Sequence, residues 1–492
     1  MDMHRFGLLT LSLATLVALA PTSSGADRPN FLLIVSEDNG PELGTYGDPY
    51  ARTPNLDKLA AEGVRFDRAF VAQAGCSPSR ASFLTGLFPH QNGQLGLATW
   101  GFRMYREDTP NMARSLKEAG YRTGLIGKLH VNPESAFPFD FKAIPTANFQ
   151  RKNLGDYARH AESFFGASAQ PFFLSVNYPD AHRPWLRQAE GLPEHPLDAS
   201  DVQPLAYLGL GGAKLRQLSA GHYNSMERLD VLVGDLLAAL DRSGKADNTL
   251  VVYLGDHGAD FIRGKRTCYE GGLRIPLIAR WPGRAKAGRA RSELVSTVDL
   301  MPTFLAAAEA QSPAGLPGAS LIDLIEGKHT AWRRYLFAEY HAHAAKPNFY
   351  PQRSVRNDRY KLIESLLPGE INPGYDFTLH HIEGSLPAAI ESAPPHVRNA
   401  YRTMERPPRF ELYDLEADPF EFRNLADDSA YADVLRELQR ELARWRKKTN
   451  DPLLDERNLE RLKAEAQIDS KPGARKRGWN YPNYFFAGTE SH

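Results

Sequence analysis

Cysteine is nearly absent from this chain: Cys76 and Cys268 are the only two in 492 residues. Two thiols exclude a disulfide-stapled scaffold and a zinc site built on cysteine alone. A single Cys76–Cys268 bridge stays open. Excess charge is absent too, with Lys+Arg 59 against Asp+Glu 59. That balance excludes a polycation that holds nucleic acid by bulk charge, and it gives no acidic tail for a partner. Long apolar runs are lacking after residue 20. The one run present, Phe6 to Ala20, follows His4 and Arg5, and is broken by Pro21. It is shorter than the roughly 20 residues of a membrane-spanning helix. With Ser24-Gly25-Ala26 behind it, it has the layout of a secretory signal cleaved near Ala26. The expected mature protein is therefore soluble, periplasmic or secreted, and without a stable membrane anchor. Internal repeats are also missing. Hydrophobic residues at 42% and charged residues at 24% exclude wholesale disorder.

The chain divides into two patterns. Phe31–Val35, Tyr121–Ile126, Pro171–Tyr178 and Thr249–Leu254 are short apolar runs suited to buried strands. Helical patterns lie between them. One is Thr53 to Gly63, with Pro54 in its first turn; another is Asn111 to Ala119. Alternation of this kind predicts an α/β fold with a mainly parallel sheet flanked by helices. After about residue 335 the crossover helices stop. Tyr335–Tyr340, Arg353–Ile363 and Phe410–Leu415 read as strands, and Ala430–Lys448 as a long amphipathic helix. That predicts a smaller C-terminal antiparallel sheet with a covering helix. The expected division is a signal peptide over 1–26, a catalytic domain over 27–345 and the small domain over 346–492. The aromatic tail at Trp479, Tyr481, Tyr484, Phe485 and Phe486 is expected to pack back on the body.

In open α/β sheets, ligands bind beyond the carboxyl ends of the strands. Here each of the four predicted strands is followed by ionisable groups. They are Glu37 and Asp38; Lys128 and His130; Asp180 and His182; Asp256 and His257. Taken singly, each pair fits a turn or a helix cap. Four at one rim point to a site. Glu37, Asp38 and Asp256 are hard oxygen donors suited to Ca²⁺ or Mg²⁺, with zinc as runner-up. His257 either ligates or sits alongside. Lys128, His130, His182 and the nearby Lys265 and Arg266 suit an anion or proton transfer. The sharpest local feature is Cys76-Ser77-Pro78-Ser79-Arg80, continuing to Thr85-Gly86. Pro78 fits a first turn and Gly86 an end, so Cys76 would lie at a helix N-terminus that favours an anion.

The run CSPSRASFLTG, Cys76 to Gly86, resembles the sulfatase signature. TPNLDKLAAEG, GLIGKLH, GDHG, KRTCYEGG and FELYDLEADPFEFRNLADD are similar to further blocks of that family, in order along the chain. The resemblance implies an alkaline-phosphatase-like core and a cysteine oxidised to formylglycine by a formylglycine-generating enzyme. It implies that the aldehyde hydrate of residue 76 attacks sulfur with one hydroxyl and expels sulfate with the other. Arg80 and Lys128 would stabilise the hydrate and the sulfuryl oxygens, His130 would be the base, and His182 and Lys265 would contact sulfate. His182 would also protonate the leaving group. Glu37, Asp38, Asp256, His257 and an oxygen of modified residue 76 would hold Ca²⁺. Two departures stand out. Glu37 replaces a frequent Asp, and His257 a frequent Asn; the extra methylene of glutamate leaves direct or water-mediated ligation open.

Within the family, CSPSRASFLTGLFPHQNGQLGL, GKLHVNPESAFPFDF, Asp180-Ala181-His182-Arg183 and Arg353-Ser354-Val355 resemble the sulfamidase branch. That implies hydrolysis of the S–N bond of terminal N-sulfoglucosamine in a sulfated glycan. Asp180, His341, His343 and Arg353 are expected to line the sugar pocket. An O-sulfatase on sugars or aryl esters, a phosphodiesterase or phosphonate hydrolase, and an exported sugar-binding protein with unmodified Cys76 are the alternatives. A homodimer is compatible with the sequence.

Overall fold

The computed structural model describes residues 28–344, 348–381, 386–468 and 478–486. The expected signal segment and the expected boundary at 345/346 lie outside those residues. Four parallel strands form the centre: β1 (Asn30–Ser36), β2 (Arg122–Gly127), β3 (Phe172–Asn177) and β4 (Thr249–Gly255). Their order across the sheet is β4-β1-β3-β2. Phe141–Ala143 extends the β2 edge. On the other side Leu277–Arg280 pairs antiparallel with β4, followed by Val64–Phe66 and Arg289–Arg291, for eight strands in all.

The strands are largely apolar, as both of their faces are covered. Phe31, Leu33 and Val35 of β1 join Phe173, Leu250, Val252 and Leu254 on one face. Leu32 and Ile34 join Leu174, Val176, Val251 and Tyr253 on the other. The alternation is the two-residue period of a strand. The first face is closed by α2 (Cys76–Thr85) and the helix Leu300–Ala307. The second is closed by α1 (Pro54–Ala61), Asp156–Gly166 and the long α3 (Ala213–Arg242). Thr53 does not cap α1. Its hydroxyl accepts from Gly44 N, and the free N–H groups of Asn55 and Leu56 are taken by Asp230 of α3.

The small sheet is antiparallel, in the order Leu336–Tyr340, Gln352–Arg356, Tyr360–Ser365, Phe410–Asp414. Its first strand thus starts ahead of residue 345. The stretch Arg353–Ile363, expected as one strand, is a hairpin. Asn357 Oδ1 accepts from the N–H groups of Arg359 and Tyr360, at 2.9 and 2.7 Å, and turns the chain. Helix α4 (Ala432–Lys448) lays Leu438, Leu442 and Trp445 on Val355, Leu362 and Leu412. Ala72, Phe88 and Val298 of the large sheet's own domain join this cluster, so the two parts share a core. The tail packs back: Trp479 stacks on Phe102 at 3.9 Å, and Tyr481 OH donates to Gly93 O at 2.7 Å. Among the described residues, no helix is long and apolar enough to cross a membrane.

A buried ion pair ties the small sheet to the segment after α4. Arg353 grips Asp451 with two bonds of 2.8 Å, and Arg446 adds a third at 2.7 Å. Burial alone would raise the Asp451 carboxyl, but Arg353 and then His90 and Arg446 hold it well below the usual range. A depressed folded pKa stabilises the fold above the unfolded value and loses that stability as pH falls through the acid range. Asp451→Asn is expected to cost about 3 kcal/mol at pH 7, because two guanidinium groups lose a buried partner. The deficit against the parent should shrink below about pH 4. Urea unfolding at pH 7 and pH 3.5 measures both.

Candidate active site

The carboxyl ends of the four central strands converge. Gly127 and Gly255 allow it: a Cβ at either would lie 2.2 Å from a backbone oxygen, that of Asn177 or of Asn39 respectively. Beyond these ends the backbone takes unusual turns. Asp38 and His130 have φ of 51° and 59°. Left-handed backbone in such residues costs of order 1 kcal/mol and collects at functional sites. Asp38 is held in its turn by its own N–H, which donates to Asp256 Oδ1 at 2.9 Å.

Cys76 begins α2, with Gly86 in the left-handed cap at its other end, as the spacing predicts. Cys76 and Cys268 are both free thiols, so the bridge left open by the sequence is not formed. Cys76 Sγ lies 3.4 Å from His257 Nε2 and 3.9 Å from Asp38 Oδ1. One turn on, Arg80 is spread across the floor. Its Nε bonds Asp256 Oδ2 at 3.1 Å, and its Nη2 bonds Glu37 Oε1 at 3.2 Å. Its Nη1 bonds Lys128 O at 3.0 Å and Asn177 Oδ1 at 2.8 Å. Lys128 Nζ meets Glu37 Oε1 at 2.7 Å, and Lys265 Nζ meets both oxygens of Asp38 at 2.9 Å. Asn177 was not singled out in the sequence. It ends β3, one residue inside the end of the predicted run Pro171–Tyr178, so the strand-end rule passed over it.

Charge sets the protonation states. Burial raises the Asp38 carboxyl, but Lys265, His182 and His257 outweigh it and keep Asp38 ionised. Burial lowers the His257 imidazole; Asp256 and Asp38 overcome that and raise it to about 9. Burial also lowers His130, and Lys128 and Arg80 push it further down. His130 is therefore a neutral imidazole at physiological pH. Neither of its ring nitrogens has a hydrogen-bond partner, and both are shielded from solvent.

The donor set suits a hard divalent cation. Oxygens of Glu37 and Asp38 lie within 4.8 Å of each other and of Cys76 and His182; Cys76, Asp256 and His257 form a second such group. Glu37 Oε2 is buried without a partner. His257 Nδ1 faces the carbonyl of Gly258 at 2.9 Å, so Nδ1 carries a proton, and a cation at the carboxylates would displace the second proton and take the lone pair of Nε2. That tautomer is the one a metal-bound histidine adopts. The pull of Asp38 and Asp256 for a proton on His257 is the same pull for a cation.

The centre opens on one side. The side chains of His182 and Lys128 are 22% and 10% exposed, while Glu37, Asp38, Arg80, Asp256 and His257 show 1% or less. His182 Nε2 lies 3.8 Å from Asp38 Oδ2, and its Nδ1 faces Arg183 O at 2.6 Å. A carbonyl only accepts, so the Nδ1 proton is fixed there and Nε2 faces the pocket. The cavity between the body and the small sheet, about 960 Å³ and lined by Tyr46, Asp48, Tyr223 and Glu270, contains none of these groups.

Three expected sugar contacts are placed otherwise. Both oxygens of Asp180 are taken by Arg228, at 2.8 and 2.7 Å, and Oδ1 also by Arg151 at 3.1 Å. Asp180 is fully buried, so it anchors the His182 loop instead of facing the pocket. Arg353 is fully buried on Asp451, and His341 is fully buried 3.4 Å from Glu339 Oε1. The pattern around Arg353 reflected a domain junction, where buried charges need partners. His343 does reach the site. Its unpartnered Nδ1 lies 3.5 Å from where a Cβ on Gly75, the residue before Cys76, would stand.

The comparisons with known proteins agree with this geometry. The Sulfatase family model matches residues 29–310, and the model for the N-sulphoglucosamine sulphohydrolase C-terminal region matches 255–378. The chain is 31% identical to human N-sulphoglucosamine sulphohydrolase over 465 residues, covering 86% of this chain and 91% of that protein. It is 28% identical to an ulvan-active sulfatase of Formosa agariphila, covering 88% and 83%. A phosphonate monoester hydrolase from Silicibacter pomeroyi shares the fold, with a TM-score of 0.65 and 20% identity over 87% of this chain and 97% of that one. The core is thus of the alkaline-phosphatase-like sulfatase type with a smaller antiparallel sheet. With the Sulfatase model spanning residues 29–310, more than half of the chain, and a 31% identical relative covered over 91% of its length, the protein belongs to the sulfatase family.

Proposed function

We propose that this protein hydrolyses the N-sulfate of terminal N-sulfoglucosamine in heparan- or heparin-type glycans, with residue 76 carried as formylglycine and Ca²⁺ at the carboxylate centre. The match over 255–378 to the N-sulphoglucosamine sulphohydrolase C-terminal model carries this reading. That stretch contains Asp256, His257, Lys265 and His343, and so supplies one wall of the pocket as well as part of the scaffold. Residue 76, carried as formylglycine, would supply two geminal hydroxyls, the chemistry for attack on sulfur and for release of sulfate. Glu37, Asp38, Asp256 and His257 would hold the cation, which would supply positive charge toward the sulfuryl group.

The other groups then have defined work. Arg80 and Lys128 both meet Glu37 Oε1 and offset the negative charge that develops on sulfuryl oxygens. Neutral His130 accepts a proton at an unpaired ring nitrogen. His182 in its imidazolium form, with Nδ1–H held on Arg183 O, delivers its Nε2 proton to the leaving nitrogen; burial lowers this imidazole, so that form grows as pH falls. Lys265 holds Asp38 ionised and adds charge toward the sulfate. Export to the periplasm or beyond fits a polymeric glycan substrate.

The ulvan-active relative favours a second reading, an O-sulfatase on sugars. The test uses protein co-produced with a formylglycine-generating enzyme and supplied with Ca²⁺. Sulfate release from N-sulfoglucosamine should exceed that from 6-O-sulfated N-acetylglucosamine by at least about 100-fold. Release from the 6-O-sulfate alone would keep the sulfatase chemistry and overturn the amine specificity. Release from neither, with residue 76 confirmed as the aldehyde, would move the assignment to other sulfated glycans or phosphonate esters.

A further inference from the structure

His182 stands at the mouth of the site, more exposed than any group behind it, yet its ring is held both by the Nδ1 contact to Arg183 O and by a stacked neighbour. Phe149 stacks on it, with ring centroids 4.0 Å apart and planes 14° from parallel. The same phenyl ring lies 5.2 Å from Lys128 Nζ. Phe149 comes from the crossover between Phe141–Ala143 and Asp156–Gly166, and Arg151 straps this crossover to the His182 loop. Arg151 donates to Phe149 O at 2.6 Å, to Pro179 O at 3.2 Å, to Asp180 Oδ1 at 3.1 Å and to the carbonyl of His182. Arg151 is 1% exposed, and Asp180 is clamped from behind by Arg228.

We infer that Phe149 is a positioning residue: its ring holds the His182 imidazole edge-on to the reacting centre, so that Nε2 meets the leaving group. The inference rests on the reading of His182 as the leaving-group acid. A half-buried phenyl ring beside a lysine ammonium and an imidazole is not needed to fill a core. A stacked partner restricts rotation about the outer bond of His182, which the Nδ1–carbonyl bond alone leaves free to rock. A misaligned donor loses proton-transfer efficiency, while Arg80 and Lys265 keep their hold on sulfate and Lys128 loses only its contact with the ring, its ion pair with Glu37 remaining.

The test uses leaving-group dependence. Phenyl sulfate releases a phenol with pKa of about 10, like tyrosine, and needs an acid. 4-Nitrophenyl sulfate releases a far more acidic phenol and needs none. In formylglycine-bearing enzyme with Ca²⁺, Phe149→Ala should lower kcat on phenyl sulfate by about 30-fold, a part of the roughly 10²–10⁴ a positioned acid contributes. KM should stay within about threefold, and kcat on 4-nitrophenyl sulfate should fall less than about threefold. Phe149→Tyr, which keeps the stack, should restore both. Equal loss on the two esters, no loss on either, or full activity of Phe149→Leu on phenyl sulfate would overturn the inference.

His182→Ala separates the two readings. If it shows the leaving-group dependence and Phe149→Ala does not, the Phe149 inference alone fails. If His182→Ala shows none, the acid assignment fails and takes this inference with it. One observation is independent of turnover. The His182 ring protons should be shifted upfield by the phenyl ring in the parent and in Phe149→Tyr, and not in Phe149→Leu; an unchanged shift in the leucine variant would overturn the stacked geometry.

Discussion

Cys76→Ala is expected to lower sulfate release by at least about 10⁴-fold, with little effect on folding. The side chain is small and buried at the head of α2, and the helix end is capped by Gly86 and not by the thiol. Alanine keeps the Cβ and loses one polarizable atom, a change of about 1 kcal/mol. What disappears is the reacting atom at the meeting point of Asp38, Asp256 and His257. Cys76→Ser separates the two halves of the reaction. Its single hydroxyl is able to attack sulfur once, but the sulfate ester it forms has no geminal hydroxyl to expel sulfate. The serine variant should therefore release the desulfated product in no more than one equivalent, and retain sulfate on the protein. Sulfate release, product burst and a thermal melt together check this.

Arg80→Met is expected to damage both folding and activity. Arg80 is 1% exposed and touches Glu37, Asp256, Asn177 and the Lys128 carbonyl. Removing it leaves Glu37 and Asp256 buried with less counter-charge, a loss of about 3–5 kcal/mol. In a chain of 492 residues that is a fall in melting temperature of roughly 3–5 °C. On the proposed mechanism the same deletion also takes away positive charge beside the sulfuryl group, so kcat should fall by about 10³-fold. The two effects part company in Ca²⁺. A cation bound at the carboxylates favours the folded state by mass action, so added Ca²⁺ should recover some of the melting temperature but not the rate. If Ca²⁺ leaves the melting temperature of Arg80→Met unchanged, the carboxylates are not a cation site.

The strand-end rule placed Glu37, Asp38, Lys128, His182, Asp256 and His257 at one rim because each follows an apolar run that is buried on both faces. Local composition is enough for that inference. It fails where a partner comes from far along the chain. Arg151 and Arg228 reach Asp180 from 29 and 48 residues away, one from a crossover loop and one from the middle of α3. Nothing in Asn-Phe-Gln-Arg marks Phe149 as a neighbour of His182. The same distance effect misplaced Arg353, whose neighbour Asp451 lies 98 residues on. A buried arginine and a substrate-binding arginine look alike until the partner is seen. The hairpin at Asn357 was legible in principle: Asn-Asp interrupts the strand pattern with two turn formers.

The most direct test follows the nucleophile itself. Trypsin should release Ala69–Arg80, which contains residue 76 and no other cysteine. Preparations made with graded amounts of a formylglycine-generating enzyme give graded fractions of this peptide in the aldehyde form, read by mass spectrometry. Specific sulfatase activity should rise in proportion to that fraction and extrapolate to zero where residue 76 is entirely thiol. Activity that is independent of the fraction, or that persists with an intact Cys76 thiol, would contradict residue 76 as the source of the nucleophile.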